Sequence, residues 1–394
     1  MISSWTGLAT TTSGFSTGRI SGIQPLTRPP SAWWLPFGLR VQAVRVLNQG
    51  LEDFAGLMMR TFAYRVVSLA ISVLLPFLLR APEVASQDVR SLPFVDIEYG
   101  DLSVRIRDNS QSPQILSGLN AMFNTRQASG FDAYDPDTQG ASGGLNFEHI
   151  ISGHATPNNR FTPRHGPYSL QRMSNGRSVS LTRKAEDSPW KVASTLKYTI
   201  AEPHYVDFDF QCRPQDSRAF GDRQYAIFFF ANYMNDVEDA SLHFRGYEGP
   251  DAAESWIIAD APKQHPDWNR GGNYRARDAD NLQYDDGVEF RLNTWSYEWP
   301  RIAEPFYFGR ARHGMTLILM FDRLCSQRDQ IRFSPYKFKL PKHPRPAWDF
   351  QYVINRVEPN NEYGFRGRLV WKKFVSADDC RNEYLNWKAL ISSR

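Results

Sequence analysis

Cysteine is scarce: the 394 residues contain three, Cys212, Cys325 and Cys380. Their spacing excludes a cysteine-based zinc cluster and a Cys-x-x-Cys redox pair. In an oxidising compartment they allow at most one internal bridge, so core packing rather than cross-linking must carry the fold. Charge of one sign is also in short supply. Lys and Arg number 46 against 42 Asp and Glu, a net +4. Seven of the bases and three of the acids fall in residues 1–87, which leaves the rest of the chain formally neutral. A nucleic-acid partner therefore lacks the basic surface that phosphate binding demands. Gly-Lys-Ser/Thr and a strand-to-helix Gly-x-Gly-x-x-Gly are missing too, which argues against nucleotide-driven chemistry. What remains, 41% hydrophobic and 22% charged residues, is a globular balance that rules out a wholly disordered or collagen-like chain.

Long apolar runs are absent with one exception. Arg60 and Arg65 precede an apolar stretch of 14 residues, 66–79, and the small residues Val84, Ala85 and Ser86 follow it. A bilayer-crossing helix needs roughly 20 apolar residues, so the stretch reads as the centre of a secretory signal spanning 58–86, cleaved after Ser86. A buried helix or an uncleaved anchor is the alternative, and Pro76 disfavours the helix. Residues 1–57 are either a start placed too early or a targeting extension, since they are Ser/Thr-rich and lack acids before Glu52. The expectation is a periplasmic or secreted protein with no stable membrane span after signal removal, its body a single domain over 88–394.

Beyond Leu92, short runs rich in Val, Ile, Thr, Tyr and Phe alternate with Gly, Pro, Asn and Asp clusters. That is the pattern of antiparallel strands joined by loops. Strands are expected at 104–107, 178–182, 194–200, 205–212, 225–231, 242–245, 255–259, 290–295, 316–321, 350–355 and 365–373. In 205–210, Val206, Phe208 and Phe210 take one face and Tyr205, Asp207 and Asp209 the other. Residues 225–231 are apolar on both faces and predict a strand buried between layers. Ser376 caps a helix whose first turn holds Asp378 and Asp379, and Cys380, Tyr384, Trp387 and Ile391 form its apolar stripe, expected on the sandwich edge. The fold class is all-β: a large antiparallel sandwich with a short C-terminal helix.

The strand Ser178-Val179-Ser180-Leu181-Thr182-Arg183, followed by Leu196-Lys197-Tyr198-Thr199-Ile200 and residues 205–210, together with the Arg164-His165-Gly166 turn, resembles the galactose-mutarotase-like supersandwich. That fold is shared by aldose epimerases and by domains of glycoside hydrolases and polysaccharide lyases. The resemblance covers residues 95–375 in pattern and strand order, and implies a concave sheet that faces carbohydrate.

Residues 132–165 form the densest polar cluster and, being Gly-rich, are expected to be irregular. Glu148 with His154 or His165 suits general acid/base work; the alternative is a loop pinned by buried polar contacts. If 145–151 is a strand, alternation sets Glu148 and His149 on opposite faces. Asp135 and Asp137 begin like a calcium loop, but Asn146 stands where a bidentate Glu is required, so an irregular calcium site competes with an Asx-rich turn. No other cofactor is implied: His149 and His154 are five apart, outside a His-Glu-x-x-His spacing, which leaves as the alternative a zinc site assembled across strands from His154, His165 and His243. Asn232, His243 and Arg245 offer groups for sugar hydroxyls, although Arg245 equally suits a salt bridge with Glu238 or Asp236. Trp268 and Tyr274, flanked by Asn273, are stacking candidates for pyranose rings or plugs of the sandwich edge. Tyr307 is a candidate proton donor and Asp207 a second candidate base, with Arg164 and Arg245 stabilising negative charge. The expected function is an exported carbohydrate-active protein, a hydrolase, lyase or epimerase if catalytic, or else a non-catalytic glycan-binding or structural envelope protein.

Overall fold

The computed structural model describes residues 93–110, 117–134, 144–156, 159–260, 270–286, 296–337 and 346–393. The expected signal segment, the strand at 290–295, and Asp135, Asp137 and Trp268 lie outside them. The strands in chain order are β1 (Phe94–Tyr99), β2 (Leu102–Arg107), β3 (Gly118–Asn124), β4 (Ala128–Asp132), β5 (Gly144–Ile151), β6 (Ser169–Arg172), β7 (Ser178–Arg183), β8 (Val192–Ala201) and β9 (Tyr205–Pro214). There follow β10 (Ala226–Tyr233), β11 (Leu242–Tyr247), β12 (Ser255–Ala259), β13 (Arg270–Gly271), β14 (Arg301–Ala311), β15 (Met315–Phe321), β16 (Asp329–Lys337), β17 (Pro346–Ile354) and β18 (Tyr363–Lys373). Among the described residues they make two nine-stranded sheets. Sheet A runs β1-β2-β3-β5-β10-β17-β16-β13, with β4 beside β3, and sheet B runs β12-β11-β14-β15-β18-β9-β8-β7-β6.

Alternation explains how the two sheets close on each other. On β9, Val206, Phe208 and Phe210 point inward as their spacing predicts; on β10 and β17, Phe228, Phe230, Phe350 and Tyr352 face them. Phe230 and Phe350 stack at 4.8 Å, and Phe210 meets Phe230 edge-on at 5.0 Å. Each ring so buried is worth about 1.5–3 kcal/mol of transfer free energy. β10 is buried along its whole length, as its two apolar faces require: Phe228 and Phe230 serve the core while Phe229 and Ala231 serve the other side.

Two expectations need correction. Residues 132–165 are not wholly irregular, because Gly144–Ile151 is a fully buried central strand. Gly144 makes it possible: at φ +119° a Cβ there would run into the Leu119 carbonyl of β3. The C-terminal helix, Ala377–Ser392 with Ser376 accepting from the Asp379 N–H, is where the pattern put it. It lies on the middle of sheet B rather than at an edge, its Cys380, Tyr384 and Trp387 packed on Phe306, Phe308, Ile318, Met320 and Val370. Those five strand residues form an apolar outer face too large for an edge contact. Among the described residues no helix is long and apolar enough to cross a membrane.

Candidate functional site

A β-bulge creates the most unusual polar site. Along β5 and β10 the partners are Phe228 with Ile150, Phe229 with His149, and then Phe230 with Phe147, so β5 carries one residue more than its neighbour. The extra residue breaks the two-residue alternation. Phe147 and Ile150 both enter the core, and the two side chains between them, Glu148 and His149, are turned to the outer face of sheet A. Neighbours that a regular strand would separate are therefore in contact: His149 Nδ1 lies 3.1 Å from Glu148 Oε2. The other carboxylate oxygen accepts from Arg164 Nη1 at 2.6 Å and from the Tyr233 hydroxyl at 2.5 Å. The His149 ring stacks on Phe229 at 4.3 Å and meets Phe161 edge-on at 5.2 Å. Arg164 reaches the site from the short helix Thr162–His165, which Pro163 opens.

Burial sets the protonation of these groups. It opposes ionisation of Glu148, but the His149 hydrogen bond, the Arg164 and His149 charges and the Tyr233 hydroxyl outweigh it and hold the carboxyl at about 2. Asp349 of β17 goes the other way: burial, then the charge of Glu148, push it well above the usual carboxylate range, although its Oδ1 accepts from the Asn232 N–H at 2.7 Å. Burial lowers His149 despite Glu148, and burial together with Arg164 lowers the exposed His165. The site thus combines an anionic Glu148, an Asp349 whose burial favours its protonated form, imidazoles at His149 and His165 whose burial favours the neutral form, a phenol and a guanidinium.

The expected residues do not all converge. Glu148, Arg164 and His165 share this face. His154 instead directs Nδ1–H to the Arg218 carbonyl at 2.7 Å. His243 and Arg245 do share a side of β11, but it is the outer side of sheet B, across the sandwich from Glu148. His243 stacks there on Phe308 at 4.8 Å and binds Asp239 at 3.2 Å. Arg245 pairs with Glu254 at 2.8 Å, not with Glu238 or Asp236, which hold Arg310 and Arg312. Asp207 also faces outward on sheet B, in a two-pronged pair with Arg368 at 2.5 and 3.0 Å. Asn232 is turned into the interior, accepting from the Tyr134 hydroxyl at 2.8 Å, and the Tyr307 hydroxyl is spent on the Trp348 carbonyl. Tyr274 belongs to the core, stacked on Tyr297 at 4.6 Å, while Asn273 is buried and accepts from Ser296 Oγ at 2.7 Å. Sheet membership, which alternation within one strand does not reveal, separates these groups.

Three residues escaped the sequence reading, Tyr233, Asp349 and Arg332, and a fourth, His149, was set on the face opposite Glu148. Asp349 and Gln351 alternate with Trp348, Phe350 and Tyr352, so a polar outer face on β17 was legible. The adjacent polar pair Glu148-His149 inside an apolar run was the signal of the bulge. Across the sheet, His149, Phe229, Gln351 and Arg332 are register partners on four neighbouring strands. Among the described residues no group of three His, Cys, Asp or Glu side chains is placed to hold a metal ion.

In sequence the chain matches no family model and no curated protein. In fold it is similar to an aldose epimerase homologue from C. elegans, at 10% identity and a TM-score of 0.43, over 72% of this chain and 99% of that one. A galactose mutarotase related enzyme from Lactobacillus acidophilus gives 9% identity and 0.35, over 71% and 97%. A heparan sulfate lyase from Pedobacter heparinus gives 8% and 0.38, over 72% of this chain and 36% of the lyase. Values this low say nothing about individual residues or activity, and the site rests on this chain's own geometry.

Proposed function

We propose that the protein is an exported carbohydrate-active protein that binds a poly- or oligosaccharide on the outer face of sheet A and transfers protons there. The observation that carries this reading is the pair of buried carboxyls shifted in opposite directions, Glu148 held down by His149, Arg164 and Tyr233 and Asp349 pushed up by burial, beside His165. His165 is the exposed imidazole of the group and is neutral at pH 7, so it can accept a proton from a sugar carbon or return one. Arg164, fixed by Glu148, supplies positive charge where an enolate-like anion would develop. Elimination or epimerisation suits this arrangement better than hydrolysis, which needs two carboxyls flanking a glycosidic oxygen; here both are buried. Export is supported by the apolar run at 66–79 behind Arg60 and Arg65.

A non-catalytic glycan-binding protein is the second reading, favoured by the complete hydrogen bonding of the Glu148 carboxylate. A panel of polysaccharides incubated with the purified protein, read by reducing ends and by absorbance of unsaturated products, separates the two. Turnover that His165→Ala abolishes and Glu148→Gln lowers supports the enzyme. Binding without turnover supports the module, and no binding at all rejects both.

A further inference from the structure

Beside β16 of sheet A, three arginines act on one another without acids to balance them: Arg332 of β16, Arg275 of the segment after β13, and Arg301 at the start of β14 of sheet B. Arg332 of β16 points outward between Gln330 and Ser334 and is fully buried, at 0% exposure; Arg275 is 8% exposed. Arg332 Nε donates to Gln330 at 2.9 Å and Nη1 meets the Tyr284 hydroxyl at 3.4 Å, but Nη2 has no hydrogen-bond partner. Nε and Nη1 of Arg275 have none either. Arg301 adds a third positive charge, its Nε bonded to the Glu298 carbonyl and its Nη1 to those of Ala276 and Ala279. Among the described residues no carboxylate ion-pairs with any of the three; Asp280 and Glu298 are the nearest acids and act on Arg275 and Arg301 only at longer range. Burial, and the charge of Arg275, leave Arg332 below its ordinary pKa against the opposing effect of the Tyr284 hydroxyl.

A buried guanidinium with open donors is costly, by several kcal/mol for each uncompensated ion. A fold that keeps one has a use for it, and the fitting guest is a group that brings negative charge and paired oxygens. We propose that Arg332 and Arg275 form an oxyanion subsite that takes the carboxylate or sulfate of an acidic saccharide. Resting on the carbohydrate reading above, the proposal names the class of sugar. Register places Arg332 three strands from His149, about 14 Å along the same face, so a short acidic oligosaccharide would lay its anionic group on the arginines and a neighbouring ring at His165 and Arg164.

The test is calorimetric titration of the wild-type protein, Arg332→Met and Arg275→Gln with three hexasaccharides: uronate-containing, sulfated and neutral. The wild type should bind one or both anionic ligands at least about tenfold tighter than the neutral one, a preference that each variant loses. Preference for the uronate or for the sulfated ligand tells which oxyanion is read. Equal wild-type affinity for all three, a comparison that does not depend on any variant folding, overturns the subsite; so does an anion preference that survives both substitutions. Turnover of the neutral ligand without anion preference likewise removes the subsite while leaving the carbohydrate reading intact. Conversely, inorganic sulfate that raises the melting temperature of the wild type but of neither variant, with no saccharide bound, supports the anion site and removes the carbohydrate reading.

Discussion

The outer faces of the two sheets are finished in different ways. Sheet B presents Phe306, Phe308, Ile318, Met320 and Val370, and the C-terminal helix covers them with Cys380, Tyr384 and Trp387. Its charges are matched in pairs around the helix: Lys372 holds Glu383 at 2.5 Å and Asp379 at 2.9 Å, and Arg381 holds Glu304 at 2.7 Å. Sheet A buries Glu148, His149, Asp349, Gln351 and Arg332 instead, with Arg164 paired to Glu148 and Arg332 left with an open donor. An apolar face closed by a helix reports stability. A polar face kept out of water, with carboxyls shifted in opposite directions and open donors, is what the proposed ligand site calls for, because such groups are expensive to bury for stability alone.

The contrast can be broken most forcefully at Glu148. Glu148→Ala leaves Arg164 buried without its acid and should destabilise the fold by about 3–5 kcal/mol, read by denaturant unfolding. A loss under 1 kcal/mol, the range of exposed ion pairs, would place Glu148 among ordinary surface charges. On the other side, Trp387→Ala removes the largest ring of the helix cover and should cost about 3–5 kcal/mol by lost packing. Turnover on sheet A should be unchanged at temperatures where the variant remains folded, and a matching fall in kcat would join the two faces into one functional unit.

The carboxyls of sheet A also predict opposite pH dependence. Glu148, lowered to about 2 from 4.5, contributes stability that is complete above its unfolded value and lost as the pH falls from about 4.5 towards 2. Asp349 is raised, so its contribution is complete below its unfolded value and is lost as the pH rises. Asp349→Asn should therefore gain on the wild type as the pH rises above about 4. Parallel stability curves for the two proteins would show that Asp349 is ionised like any surface acid. The smallest effect belongs to sheet B: Asp207→Ala breaks a pair whose carboxylate is 37% exposed and should shift stability by under about 1 kcal/mol. A larger loss would mean that the outer charges of sheet B carry more than their exposure suggests.

Much of the sandwich was legible because strand chemistry is local. The alternation in 205–210 placed Phe208 and Phe210 in the core, and the two-faced apolar run before Tyr233 marked a central strand. The Ser376 cap and the stripe from Cys380 to Trp387 located the helix. The site was legible only in part. Glu148, Arg164 and His165 were visible as a polar cluster, whereas His149 was set on the wrong face because the bulge changes the count by one residue. His243, Arg245 and Asp207 were grouped with them although their strands belong to the other sheet.

The order of residues by itself determined the all-β class, the helix with its cap, and which side chains along most strands turn inward, since these follow from alternation and capping within a few residues. Only the tertiary structure decided which strands became neighbours, where β5 admits an extra residue, and that Arg332, Arg275 and Arg301 meet with no acid between them. Pairing across 100 or more residues is chosen by the packing of whole faces, and no short stretch of sequence contains that information.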